Sequence, residues 1–268
     1  MQNFIQKYRY SYILLKELVR TDFKLKYQGS VLGYVWSLLR PLLIFLILYI
    51  VFTKFLKVGA AVPHYPVYLL LGILLWNYFV DVTSGSVNAI VGKGDLLRKI
   101  NFPKYVIILS IAITALINLA LTSIVIVVFM IIGHVGITSQ ILWLVPLILE
   151  LILASLAVAF FLSAAFVRYR DVSYIWEVVV QAAFYATPIL YPLSQIPAVA
   201  AKIIILNPLA QIIQDSRNVL VTHQTETIGS LYGGDKFIWL IPIGFTAFAA
   251  FIAAAYFRRR SKFFAEES

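Results

Sequence analysis

The sequence predicts an all-α membrane protein with six transmembrane helices, an N-terminal amphipathic helix at the interface and a re-entrant helical hairpin between the fifth and sixth spans. Three observations predict it. The 268 residues are 62% hydrophobic and 13% charged, whereas roughly a quarter of a soluble domain is charged. Apolar runs long enough to cross a bilayer alternate with short basic segments. With the amino terminus placed inside, every Lys and Arg except Lys54, Lys57, Lys202, Arg217 and Lys236 falls on the inner side. By the positive-inside rule that places both termini in the cytoplasm.

Residues 1–30 are expected to form the interface helix, because Phe4 to Tyr27 is too charged to span. Leu14, Leu15, Leu18, Val19 and Phe23 gather on one side of a helical wheel, and Lys16, Glu17, Arg20 and Lys24 on the other. Asp22 and Lys26 interrupt the apolar stripe; spaced i,i+4, they can pair with each other or face a polar cavity. The first ~28 residues have no apolar core of the kind a cleavable signal peptide needs, so the first span is expected to act as its own insertion signal.

Residues 31–268 are expected to form the transmembrane domain. The first span, about Val31 to Phe52, is roughly 33 Å long and interrupted by Arg40-Pro41. The second, about Val67 to Ile90, contains Asp81, and the third, about Tyr105 to Ile132, has no charge. The fourth, about Ile141 to Val167, holds Glu150, and the fifth, about Val172 to Leu190, holds Glu177. The sixth is Phe237 to Phe257, where Gly244, Ala247, Ala250 and Ala254 offer a small-residue packing face. Ile196 to Leu206 and Leu209 to Val221 are too short to span and are separated by Asn207-Pro208, so they read as a re-entrant piece within an outer segment 192–222. The chain shows no internal repeat, which favours symmetry obtained by dimerising.

Composition and motifs exclude several function classes. The net charge of +10 lies beside apolar runs, where anionic lipid headgroups attract it; nucleic acid is not an expected partner, and membrane lipids are. The absence of cysteine excludes disulfides, thiolate metal sites and cysteine nucleophiles. His64, His134 and His223 stand singly on predicted outer loops, so no metal site is expected. No Ser/His/Asp set appears in a recognisable context, so no catalytic residue is assigned. Gly92-Lys93-Gly94-Asp95 lacks the phosphate-loop spacing, so the chain cannot hydrolyse ATP itself.

Asp95 to Phe102, in the inner loop 92–104, reads as a short amphipathic helix ended by Pro103. Leu96, Leu97, Ile100 and Phe102 would either dip into lipid or enter a groove on a cytoplasmic partner. Asp81, Glu150 and Glu177 are costly in a membrane and therefore functional candidates of open role; Glu177 can pair with Arg170 or Arg40. Among the aromatics Tyr34, Trp36, Tyr49, Trp76, Tyr78, Tyr174, Trp176, Tyr185 and Tyr191, most fit interfacial belts, and any lying deeper could stack on sugar rings.

The string Arg20-Thr21-Asp22-Phe23-Lys24-Leu25-Lys26-Tyr27-Gln28-Gly29-Ser30-Val31-Leu32-Gly33-Tyr34-Val35-Trp36, followed by Arg40-Pro41, resembles the entry to the first span in permeases of ABC exporters for cell-surface polysaccharides and teichoic acids. Leu97-Arg98-Lys99-Ile100-Asn101-Phe102-Pro103 resembles that family's first coupling helix. Arg168-Tyr169-Arg170-Asp171-Val172 is similar to its second cytoplasmic turn, 168–172, Pro188-Ile189-Leu190-Tyr191 to the outer end of its fifth helix, and Asn207-Pro208 to its re-entrant hairpin. Residues 258–268 would be a cytoplasmic tail.

The resemblance, nearest to the teichoic-acid members, implies a type-2 ABC exporter fold in the bacterial cytoplasmic membrane. The chain would form a homodimer and pair with two copies of an ATP-binding subunit, which holds ATP and Mg, so that this chain itself carries no cofactor and is not an enzyme. The cargo would be a polymer on a polyprenyl pyrophosphate, wall teichoic acid first and O-antigen-type polysaccharide next. Leu96, Leu97, Arg98, Ile100, Phe102, Arg170 and Asp171 would couple to the ATPase. Lys24, Lys26, Arg40, Tyr34 and Trp36 would meet the lipid pyrophosphate. The alternative from another class is a proton-coupled secondary transporter that uses Asp81, Glu150 and Glu177 as its relay.

Overall fold

A computed structural model describes residues 2–27, 33, 35–100, 102–136 and 138–264, and the described residues form helices joined by turns and irregular segments, without a strand. Helix α1 (Gln2–Tyr27) is followed by α2 (Val35–Ile50), which runs on through a π-helical turn at Val51–Phe55. α3 (Tyr65–Val87) leads into two short helices, α4 (Ala89–Gly92) and α5 (Gly94–Lys99). α6 (Tyr105–Ile132), α7 (Leu144–Arg168) and α8 (Val172–Ala186) come next. The hairpin is α9 (Ala198–Ile205) and α10 (Pro208–Leu220), and α11 (Ile228–Leu231) precedes α12 (Leu240–Arg260).

Five of these helices are long and apolar enough to cross a membrane; the bent pair α9 and α10 would make a sixth if counted as one span, and α8, expected as the fifth span, is a shorter apolar helix. At 15 residues it is roughly 22 Å long, and it stops at Ala186 instead of Leu190. Pro188 disfavours the helical conformation at Thr187, whose ψ of 139° is extended. The other boundaries differ from expectation by a few residues. α2 begins at Val35, α3 begins at Tyr65 and breaks at Asn88, and 3-10 turns at Ser139–Trp143 and Lys236–Trp239 precede α7 and α12. The hairpin bends by 101°, and the Asn207 side chain accepts a hydrogen bond from the Leu209 N–H at the start of α10.

α3 is the hub. It packs on α2, α6, α7, α8 and α10, while α12 lies along α7 and α1 along α6. In its most apolar stretch 78% of residues are buried, against 11% for α2. The two ends of the bundle differ in content. One gathers α1, the segment 92–104 and the chain's tail; the other gathers the hairpin, the 58–64 turn and the loop after α8.

α1 divides as its wheel predicts: Leu18 is buried, Leu14, Leu15, Val19 and Phe23 are half-buried, and Lys16, Glu17, Arg20 and Lys24 are exposed. Its apolar stripe faces α6. Asp22 lies within that stripe, pairs with Lys93 and borders a cavity lined also by Asp81 and Ser84, the second of its two expected settings; the Lys26 side chain lies outside the described residues.

Candidate functional site

At the end that gathers the termini, α5 carries Asp95 in its first turn and Arg98 and Lys99 in its last, charges that suit the helix dipole. The four apolar residues expected to face a partner separate into two sets. Leu97 and Phe102 are 7% and 5% exposed and belong to the chain's own core, and Leu96 is half-buried. Ile100 is exposed with Asp95, Arg98 and Lys99. The face open to a partner is therefore more basic than the sequence pattern suggests. Arg170 and Asp171 are exposed in the turn between α7 and α8, and the Arg170 guanidinium sits 5.1 Å from the Phe166 ring centroid.

Lys93, at the start of the segment, donates to both Asp22 carboxylate oxygens at 3.0 Å, and the Ser110 hydroxyl donates to Asp22 Oδ2 at 3.1 Å. α1, α6 and the segment 92–104 thus meet at one carboxylate. Beside it lies a 510 Å³ cavity lined by Asp22, Asp81, Ser84, Lys93 and Thr114 among others. Asn118 donates to Asp81 at 3.4 Å.

Of the residues expected to meet a lipid pyrophosphate, Lys24, Trp36 and Arg40 are exposed. Tyr34 lies outside the described residues, as does the Lys26 side chain. Arg40 stands beside Pro41, which lies inside α2. The three acids occupy separate surfaces. Asp81 borders the cavity next to Lys93, whereas Glu150 lines an 810 Å³ groove between α7 and α12. Glu177 is exposed on α8. Among the described residues no group of three or more His, Cys, Asp or Glu side chains is placed to hold a metal.

α8 has no buried residue. Tyr174 and Tyr185 are 72% and 63% exposed, and Glu177 and Gln181 are exposed with them. Their spacing of three, four and four residues puts all four on one helix face. This face bears two phenols, a carboxyl and an amide on an apolar helix, and is left exposed by the described residues. Other aromatics take different places: Trp76 and Tyr78 are buried on α3, and Trp76 and Phe79 pack against Phe184 and Trp176 of α8.

Sequence reasoning missed the role of Arg217. Counted there as an outer surface cation, it is 0% exposed. Its Nε donates to the Tyr68 carbonyl at 3.0 Å, and its Nη1 and Nη2 donate to the carbonyls of Pro188 and Ile189 at 2.6 Å each. The guanidinium lies 3.6 Å from the Tyr68 ring centroid. Gly72 makes this possible, because a Cβ there would stand 2.3 Å from Nη2. The carbonyls of Pro188 and Ile189 are exposed to such a donor because Pro188 ends α8. Asp215, on the same helix, is 1% exposed and accepts from Gln211 at 2.5 Å. A signal was present: Gln211, Gln214, Asp215 and Asn218 share a helix face. A polar face in a hairpin at membrane depth must turn toward protein or water.

Comparison with known proteins follows the same lines. Residues 13–221 match the family described as ABC-2 type transporter. The chain is 31% identical over 214 residues to the O-antigen export system permease protein RfbA of Myxococcus xanthus, covering 79% of this chain and 81% of that one. It is 32% identical to the protein of that name from Klebsiella pneumoniae, over 84% and 88% of the two chains. To the polysialic acid transport protein KpsM of Escherichia coli it is 25% identical, over 96% and 95%.

Proposed function

The chain belongs to the ABC-2 type transporter family, and from that premise we propose that it is the permease subunit of an ATP-driven exporter of a cell-surface polysaccharide. The observation that carries this reading is the uncovered stripe Tyr174, Glu177, Gln181 and Tyr185 on α8. Hydrocarbon does not satisfy an amide or a carboxyl. A second copy of the chain, set so that its α2 and α8 oppose these, would enclose the stripe in a polar, aromatic conduit. Sugar rings suit such a wall, since their C–H faces stack on phenols and their hydroxyls bond to amides and carboxyls.

In this reading two copies of a separate ATP-binding subunit, which holds ATP and Mg, dock on the exposed face of Asp95, Arg98, Lys99 and Ile100 and on the Arg170-Asp171 turn. That end is cytoplasmic, in keeping with the distribution of Lys and Arg. The cargo is attached to a polyprenyl pyrophosphate whose phosphates meet Lys24, Lys26 and Arg40, with Tyr34 and Trp36 beside them. The names of the relatives favour O-antigen-type polysaccharide as the polymer, with wall teichoic acid as the second candidate.

The test is a mild-detergent purification of the tagged chain from its native membrane, with protein stoichiometry and intermolecular cross-linking of single cysteines at Gln181 or Tyr185. An equimolar ATP-binding subunit and a cross-linked dimer are expected. A lone monomer that excludes cross-linking would overturn the reading. Composition of the surface polymer lost on depletion separates polysaccharide from polyol phosphate.

A further inference from the structure

A chain end that follows a membrane span ordinarily frays unless something ties it down. Here the residues after α12 turn back and dock. The Ser261 N–H bonds to the Phe257 carbonyl at 2.7 Å, and the Phe263 N–H to the Arg260 carbonyl at 3.0 Å. This turn buries Phe264, which is 1% exposed. Its ring meets Phe257 edge-on at 5.3 Å, and Phe257 meets Phe160 of α7 at 4.9 Å.

The other side of Phe264 is the exit of the coupling segment. Lys104 Nζ lies 5.6 Å from the Phe264 ring centroid and donates to the Ser261 carbonyl. Lys104 is the residue immediately before α6, two positions after the buried Phe102. One side chain therefore joins the end of the coupling segment, the start of α6 and the end of α12. A cation over an aromatic face together with a carbonyl acceptor is a directional contact, which plain burial of Phe264 would not require.

From these contacts we infer that the tail turn Ser261–Phe264 is a latch that fixes the exit of the coupling segment to α12, with Lys104 as the pin and Phe264 as the plug. This rests on the permease reading. A lever that carries a partner's motion must be held rigidly where it joins the helices it drives. The Lys93–Asp22 pair holds the entry of the segment and the latch holds its exit. Displacement of α5 then reaches α12, and through it α7, as well as α6. Lys104 and Phe264 are positioning residues; they touch neither nucleotide nor cargo.

The test uses the intact complex in membrane vesicles, measuring subunit stoichiometry, basal ATP hydrolysis and polymer exported per ATP. Phe264→Ala and Lys104→Met are expected to leave assembly and basal hydrolysis unchanged while export per ATP falls about tenfold. Phe264→Leu and Lys104→Arg are expected to stay near the parent value. The pair Lys104→Cys with Ser261→Cys, feasible in a chain without cysteine, should be uncoupled until a short bis-maleimide joins the two positions, and should regain export afterwards.

Unchanged export per ATP in both Phe264→Ala and Lys104→Met would overturn the latch, and so would loss of export caused by the cross-link. An unstable Phe264→Ala leaves the question to Lys104→Met, whose packing loss is small. A parent chain that brings down no ATP-binding subunit defeats the permease reading itself, an outcome separate from failure of the latch.

Discussion

α3 and α8 pack against each other, and both are apolar, yet they are opposite in what they do with polar groups. α3 turns them inward: Thr83 is fully buried and donates to the Phe79 carbonyl at 2.8 Å, and the Tyr68 hydroxyl reaches the Gln214 side chain at 3.4 Å. α8 turns Glu177 and Gln181 outward, where they are exposed among the described residues. In a membrane protein the first pattern marks a structural hub. The second marks a surface waiting for a partner or for water. Mean hydropathy does not separate the two helices, but the direction of their polar residues does.

The strongest way to break this contrast is to attack the hub. Arg217→Ala leaves three carbonyls and the Tyr68 ring without their donor, and each buried acceptor so orphaned costs about 1–3 kcal/mol. Gly72→Leu should do comparable damage from the other side, since even a Cβ collides with the guanidinium. Both are expected to lower yield and thermal stability in detergent sharply. A fully stable Arg217→Ala protein would show that the three carbonyls find water.

Next comes the division within the segment 92–104. Leu97→Asp and Phe102→Asp put a charge into the core and should destabilise the chain by about 3 kcal/mol or more, as buried unpaired groups do. Lys99→Glu and Ile100→Asp should leave stability unchanged and abolish co-purification of the ATP-binding subunit. Co-purification lost in the first pair at normal stability would return Leu97 and Phe102 to the docking face.

On α8, Gln181→Leu and Tyr185→Leu are expected to leave stability within about 0.5 kcal/mol of the parent, as exposed substitutions do, while export falls. Loss of folded protein instead would place the stripe inside a packed contact. The smallest effect belongs to Asp22→Asn. The half-exposed Asp22–Lys93 pair is worth about 0.5–1 kcal/mol. A double-mutant cycle with Lys93→Met should show less than additive loss.

The spans, the interface helix and the hairpin were legible in the sequence because each is specified by the sum of many side chains. Losing or gaining one residue moves a boundary, as at Val35 or Ala186, and leaves the element. The faces were less legible. The wheel of α1 gave its buried stripe, but local spacing could not point from Asp22 to Lys93, 71 positions away. Arg217 was hidden for the same reason: its three acceptors belong to Tyr68, Pro188 and Ile189, and no local pattern connects them. Leu97 and Phe102 show the reverse error, because an amphipathic pattern tells which side chains avoid water and not whether a partner or the chain itself shields them.

Pro188 deprives α8 of its last turn, and Arg217 takes up the carbonyls so exposed. The helix is thereby suspended at one end, from the same hairpin that closes that end of the bundle. Its opposite end, at Val172, is held by apolar packing instead, with Val172 and Trp176 against Val87, Leu162 and Phe166. One end of the rod is thus fixed by directional bonds and the other by contacts that resist separation but have no preferred direction. If α8 walls a conduit as proposed, that wall should slide at its Arg170-Asp171 end while its Pro188 end keeps its register.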